Sequence, residues 1–295
     1  MEQDLIYVIA PPNSLVKEFV KYRKKTHLKV IIDIYDLWPE SMPLEKVKKV
    51  LAFPLVYWRE LRDKNLKYAD LVITECDLYQ EILKKELVNS NTGTVYLTRN
   101  LDAPIEISKK ISIDIIQLAY LGSINNIINI ELILQVLLEI QRYKKVILHI
   151  IGNGENKQKF LESLDSNHIE YIYYGEIYDA KKQKEIFNKC LFGINLMKSN
   201  VCVGLTMKSL DYFKFGLPIL NNIQGDTKKL VEERNIGYNL KAENIKEIAK
   251  KISGLSKEEI LTFKENTKEV FYDLFSNEMY DRKMDELISK IDSKK

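Results

Sequence analysis

From Ile115 to Ile223 the apolar positions of this 295-residue chain switch between two rhythms. Short, nearly continuous apolar runs read as buried strands: "DIIQLAYLGS", "VILHIIGNGE", "IEYIYYGE", "LFGINLM" and "LPILNN". Between them the apolar residues recur at helical spacing. Leu132, Ile133, Val136, Leu137 and Ile140 mark one helix, a second surrounds Phe160, and "KKQKEIFNKC" gives a third. Strands alternating with helices predict a parallel sheet with right-handed crossovers. Ligands of such sheets bind beyond the carboxyl ends of the strands, where Gly122, Ser123, Gly152, Gly154, Tyr178, Lys198 and Thr206 fall.

The stretch "GLTMKSLDYFKFGLPIL", Gly204 to Leu220, combines a loop, an amphipathic helix, a glycine stop and a buried strand. Leu210, Phe213 and Leu217 form its apolar stripe, while Lys208 and Asp211, three apart, share another face. Gly216 stands where a helix end takes a left-handed residue, and Pro218 prevents continuation. A lysine beside a helix N-terminus suits an anion, and a nearby carboxylate suits a sugar diol. Together they fit a nucleoside diphosphate; an ordinary surface helix fits the segment equally well.

The first 105 residues offer four strand candidates, "LIYVIA", "KVIIDI", "DLVIT" and "TVYLT". A parallel sheet that small leaves one edge and part of a face uncovered. Leu44 to Lys67 holds seven basic and three acidic residues interleaved with Val47, Val50, Phe53, Val56, Tyr57, Trp58 and other apolar side chains. Such a segment either lies on anionic lipid or packs its apolar face on the small sheet. Pro54 divides it, which predicts two short helices rather than one.

With 45 Lys+Arg against 42 Asp+Glu the formal charge is +3, so no bulk nucleic-acid signature exists. Cys76, Cys190 and Cys202 are scattered, without metal or redox spacing, and read as core thiols in a reducing compartment. His149 lies within an apolar strand and reads as structural. No apolar run approaches the ~20 residues that span a bilayer, and no signal peptide is legible.

The motifs "YLGSI", "HIIGNGE", "YYGEIYD", "GLTMKSLDYFKFGLPIL" and "GDTKKLVEE" occur in this order, preceded by "IIDIYDLWPES", "KYADLVITECDL" and "YLTRNLDAP". The ordered set resembles the retaining glycosyltransferases of family 4, above all bacterial enzymes that build capsule, exopolysaccharide or O-antigen. The resemblance implies an α/β chain of two Rossmann-like domains, the GT-B type, whose N-terminal domain lacks its first strand–helix units. It places an acceptor-side domain at 1–105, a nucleotide-sugar domain at 106–256, and C-terminal helices at 257–295 that return to the first domain. Relatives carry two glutamates around the Gly204–Leu220 helix; here Val203 and Asp211 hold those places. The loop after the first strand of the second domain, "GSINNIINIE", lacks the cations relatives use there, so Lys208 has to supply most of the charge, with Arg99 or Lys198.

The function the resemblance implies is metal-independent, retaining transfer of a hexose from a nucleoside diphosphate sugar, with UDP expected, to a polysaccharide precursor. The donor site would comprise Asn100, Gly122, Ser123, Asn125, Gly152, Gly154, Tyr178, Lys198, Gly204, Leu205, Thr206, Lys208 and Asp211. Asp36 would orient the acceptor, unless it is only a helix cap, and Lys208 would stabilise the leaving diphosphate. No cofactor or metal is implied, the nucleotide sugar being a co-substrate. A lipid-linked or oligosaccharide acceptor, a cytoplasmic location on the inner face of the membrane, and a homo-oligomer or partner transferase are implied as well. Two rivals stand beside this reading. One is a catalytically silent subunit that stabilises an active transferase, favoured by Val203 and the missing front half. The other is a dinucleotide oxidoreductase, weakened because no strand–Gly-x-Gly-x-x-Gly–helix unit occurs.

Overall fold

The computed structural model describes residues 5–26, 28–42 and 51–292. The chain forms two compact units. The first comprises Met1–Thr98, Asn200–Gly204 and Asn277–Lys295, the second Arg99–Ser199 and Leu205–Ser276.

The first unit runs β1 (Leu5–Ala10), α1 (Asn13–Thr26), β2 (Lys29–Ile34), α2 (Ala52–Leu66), β3 (Leu71–Thr74), α3 (Asp77–Ile82) and β4 (Thr92–Thr94). The four strands pair in parallel in chain order. β2 and β3 are buried along nearly their whole length because both faces are covered. Val16 and Val20 of α1 and Leu66 of α2 pack on one face. Leu287 and Ile291 of the C-terminal helix, Asn277–Asp292, pack on the other. That cover thins over β1, which the C-terminal helix reaches through Tyr280 at Tyr7, and Leu5, Tyr7 and Ile9 remain 37 to 45% exposed. Among the described residues β1 also pairs with β2 alone, so the uncovered edge and face expected of so small a sheet are both present.

Pro54 occupies the first turn of α2, where its missing N–H has no intrahelical partner to lose. Residues 44–50 of the predicted amphipathic stretch, where the first of the two expected short helices would lie, are outside the described residues. In the described part, Phe53 is 84% exposed and Tyr57 55%, whereas Arg62 is fully buried. Arg62 grips Glu40 with both terminal nitrogens and also donates to the Trp38 carbonyl at 2.9 Å. The C-terminal end of α2 is therefore core and its N-terminal end is open apolar surface.

The second unit runs β5 (Ile115–Leu121), α4 (Ile130–Gln141), β6 (Lys145–Ile151), α5 (Lys157–Ser166), β7 (Glu170–Gly175), α6 (Ala180–Phe187), β8 (Phe192–Asn195), α7 (Met207–Phe213), β9 (Ile219–Asn221), α8 (Asp226–Arg234), β10 (Gly237–Asn239), α9 (Ile245–Gly254) and α10 (Lys257–Val270). Its parallel sheet has the order β10-β9-β8-β5-β6-β7. That is the doubly wound Rossmann order, with the strand order reversing between β5 and β8. The predicted helix stripe is met, since Leu132, Ile133, Val136, Leu137 and Ile140 are all buried. β10 has no apolar run to announce it. It exists because Gly237, at φ +140°, lets its backbone approach the Ile219 carbonyl where a Cβ would collide. The helix beginning at Lys257 stays with this unit, because Ile260 and Phe263 belong to its core. The return to the first unit begins at Asn277, and the first junction falls at Arg99 rather than after residue 105.

Candidate active site

The sheet of the second unit opens where its winding reverses. β5 and β8 pair only at Leu118↔Phe192 and Ala119↔Gly193. The wedge beyond is filled by the phenol of Tyr212, from α7. Its oxygen accepts the Leu121 N–H at 2.8 Å and faces the carbonyls of Ala119 and Ile194 at 3.2 Å. Gly193 leaves room for this ring, since a Cβ there would stand 2.7 Å from it. Tyr212 thus fastens α7 across the opening and presents its neighbour Asp211 to the crevice.

A cleft of about 470 Å³ lies at the carboxyl ends of β5, β6 and β7. Gly122 and Ser123 line it from the first loop, Gly152 and Asn153 from the second, and Glu176, Ile177 and Tyr178 from the third. Gln183 and Asp211 complete the lining with Lys214. The glycines have a structural duty first. At Gly152, φ +142°, a Cβ would run into the Gly122 carbonyl oxygen, and at Gly154, φ +153°, into backbone of Ile124. Ile124 N–H donates to the Asn153 carbonyl at 2.8 Å and Asn156 N–H to the Ile124 carbonyl at 2.9 Å, so the two loops are laced together.

Two cations serve the α7 end. Arg99 holds Asp211 through a 2.5 Å contact from Nε to Oδ1 and a second from Nη2 at 3.4 Å, both side chains about a quarter to a third exposed. Lys208, partly buried, makes no ion pair among the described residues; its ammonium rests 4.8 Å from the centroid of the Tyr120 ring. Desolvation pulls its pKa from the ordinary 10.5 down to about 8. A positive charge without a carboxylate partner, set beside Gly122, is suited to a bound anion.

Other predicted residues have different surroundings. Thr206 caps α7 from inside: its hydroxyl bonds Asn195 at 3.0 Å and Ser209 at 2.8 Å, within a buried network that continues to Asn221 and Asn239. Leu205 is likewise buried. The Asn125 side chain closes its own turn by accepting the Ile127 N–H at 3.1 Å. Lys198 and Asn100 are exposed and neither lines the cleft. Tyr178 is 86% exposed at the cleft mouth. Gly204 and Asp36 belong to the first unit. Asp36 caps no helix; its carboxylate accepts from the Ser41 hydroxyl within a turn.

Sequence reasoning overlooked Gln183, Ile177 and the Arg99–Asp211 pairing. The Gln183 amide donates to the Ile177 carbonyl at 2.6 Å and shapes the third loop, and a glutamine inside a lysine-rich helix carries no signal of that contact. His149 is structural as expected: it bonds Tyr174 and Gln117 on its two nitrogens, and burial holds its pKa near 4. Cys76 and Cys190 are buried and Cys202 partly so. Among the described residues no three His, Cys, Asp or Glu side chains are grouped to hold a metal ion, and no helix is long and apolar enough to cross a membrane.

Residues 116–258, just under half of the chain and most of the second unit, match the family model described as "Glycosyl transferases group 1". No curated protein matches the sequence. Among solved structures, a mutant of S. aureus TarM in complex with fondaparinux, α-GlcNAc-glycerol and UDP superposes with a TM-score of 0.66 at 15% identity. That match covers 95% of this chain and 55% of TarM. Anabaena HepE in complex with UDP and glucose gives 0.64 at 13% identity, covering 97% of this chain and 77% of that one. The lipopolysaccharide outer core galactosyltransferase WaaB gives 0.61 at 16% identity, covering 97% and 74%. The chain therefore spans roughly half to three quarters of the proteins whose fold it shares. That fold is the GT-B glycosyltransferase type with two Rossmann-like domains. The match to the group 1 family model falls within its second unit.

Proposed function

We propose that this protein is a glycosyltransferase that moves a hexose from a UDP-sugar to a bacterial surface polysaccharide precursor, with retention and without a metal. The observation that carries the reading is the cleft at the switch point, lined by three strand-end loops and Asp211, with the Lys208 side chain against Gly122 of the first loop. The solved neighbours crystallised with UDP support UDP as the nucleotide. The base would lie against Ile177 and Tyr178, the ribose diol against Asp211, and the diphosphate against the loop at Gly122 and Ser123. Lys208 and Arg99 would offset the charge that develops on the leaving diphosphate. The acceptor hydroxyl would attack from the face the diphosphate leaves, giving its proton to that phosphate. Lipid-linked glycan would serve as the acceptor.

Calorimetry tests the donor assignment. UDP should bind at micromolar to millimolar affinity. Asp211→Asn should weaken UDP about tenfold, ~1.4 kcal/mol, because the amide cannot accept both ribose hydroxyls. Inorganic pyrophosphate should bind this variant as well as or better than the wild type, since Arg99 is released from its partner. Equal losses for the two ligands would remove Asp211 from the ribose site.

Peripheral membrane contact belongs to the same reading and rests on the open apolar end of α2. Liposomes containing anionic lipid should sediment the protein at low salt and release it at high salt. Phe53→Glu with Tyr57→Glu should abolish sedimentation and leave the thermal melt unchanged, because both side chains are mostly exposed. Sedimentation that survives the double variant would place the contact elsewhere. The bare edge and face of β1 support self-association or a partner transferase at the first unit.

A further inference from the structure

Lys208 is the cation this site depends on, yet among the described residues no carboxylate pairs with it. What it does have is an aromatic face. Tyr120, in β5, is completely buried, and Phe160 packs edge-on against its ring at 5.8 Å between centroids. The Lys208 ammonium lies over the ring at 4.8 Å, within cation–π range. The Tyr120 hydroxyl donates to the Ser123 carbonyl at 2.8 Å, fixing the loop that lines the cleft. Gly122, between these two contacts, brings no side chain: a Cβ there would already stand 3.9 Å from Lys208 Cε.

We propose that Tyr120 is a positioning residue of the donor site: its ring seats the Lys208 ammonium, and its hydroxyl ties that seat to the phosphate-facing loop. The role rests on the UDP-sugar reading above. Cation and loop then move as one body, so an incoming diphosphate meets both already aligned. A carboxylate seat would cancel the charge needed for the ligand, whereas a π-face attracts the ammonium and leaves its net charge intact. The nearby ionisable groups agree with this. On α7 the neighbouring charge is Asp211, already paired with Arg99, and the loop from Gly122 to Asn129 contains no ionisable residue. From β5 the facing group is the Tyr120 phenol itself, whose proton is retained because burial raises its pKa.

Direct titration of Lys208 by NMR of labelled lysine, with Phe and trifluorophenylalanine placed at position 120, separates ring from hydroxyl. The shape is kept in both, so folding is preserved. Tyr120→Phe should leave the Lys208 midpoint near that of the wild type and weaken UDP and pyrophosphate alike by about threefold, through the loosened loop. The fluorinated ring, whose face is no longer negative, should lower the midpoint by about half a pH unit or more. It should also weaken pyrophosphate further around pH 8, where the loss of the proton begins to matter. A midpoint that is the same for the Phe and fluorinated rings, with UDP still bound, would overturn the role of Tyr120 alone. A wild-type protein that binds neither UDP nor pyrophosphate would overturn the donor reading and this role with it.

Discussion

Lys208→Met should yield a protein that is harder to unfold and that has lost most of its affinity for diphosphates. The two effects share one cause. Folding removes water from the Lys208 ammonium, and among the described residues it gains no carboxylate partner; desolvation lowers its pKa from 10.5 to about 8. Between those values the unfolded chain holds more protons than the folded one, and stability rises with pH across that window. Below about pH 8 the native state bears the full cost of the charge, on the order of 1–3 kcal/mol after allowing for partial exposure and the Tyr120 contact. Methionine keeps the stem and removes the charge. The melting temperature at pH 7 should therefore rise by several degrees, and the gain should vanish above about pH 10.5, where the unfolded chain also loses its proton. UDP and pyrophosphate should each bind at least about tenfold more weakly, ~1.4 kcal/mol, because a charge-assisted contact is lost. A variant that melts lower at pH 7 would mean that Lys208 is a structural cation. Such destabilisation of a binding cation is expected where function takes precedence over stability.

The second large effect is steric. Gly152 joins a positive φ of +142° to direct contact with the Gly122 carbonyl, so an alanine there has no strain-free position. The Gly152→Ala variant should lose at least about 3 kcal/mol in urea unfolding, from backbone strain and overpacking together. UDP binding should be lost in the surviving folded fraction, because the collision forces apart the two loops that line the cleft. Gly254 supplies the control. It is the last residue of α9, and a Cβ there meets nothing within 4 Å. Gly254→Ala should be neutral or stabilising by up to about 1 kcal/mol. Equal melts for the two variants would show that Gly152 is dispensable.

Much of this protein was determined by pattern alone. The alternation of apolar runs and helical stripes from Ile115 to Ile223 fixes strand–helix order, and a parallel sheet follows because crossovers of that length admit little else. The positions of Gly122 and Gly152 at strand ends were legible for the same reason, since periodicity tells where an element stops, and helical spacing put Lys208 and Asp211 on one face. The four strands of the first unit were legible too, and with them an uncovered edge and part of a face, which only the structure assigns to β1. What a periodic pattern cannot encode is the partner of a side chain. Thr206 and Lys208 lie two residues apart in one motif, yet one turns into a buried asparagine network and the other toward Gly122. Arg99 meets Asp211 across 112 residues, and Tyr212 reaches back 91 residues to cap β5. Those contacts depend on how helices settle on the sheet, which is decided by packing between elements distant in sequence. Local rhythm therefore determined the scaffold and the rim of the site, and tertiary packing alone decided which residues of that rim are committed to structure and which cation stands ready for a ligand.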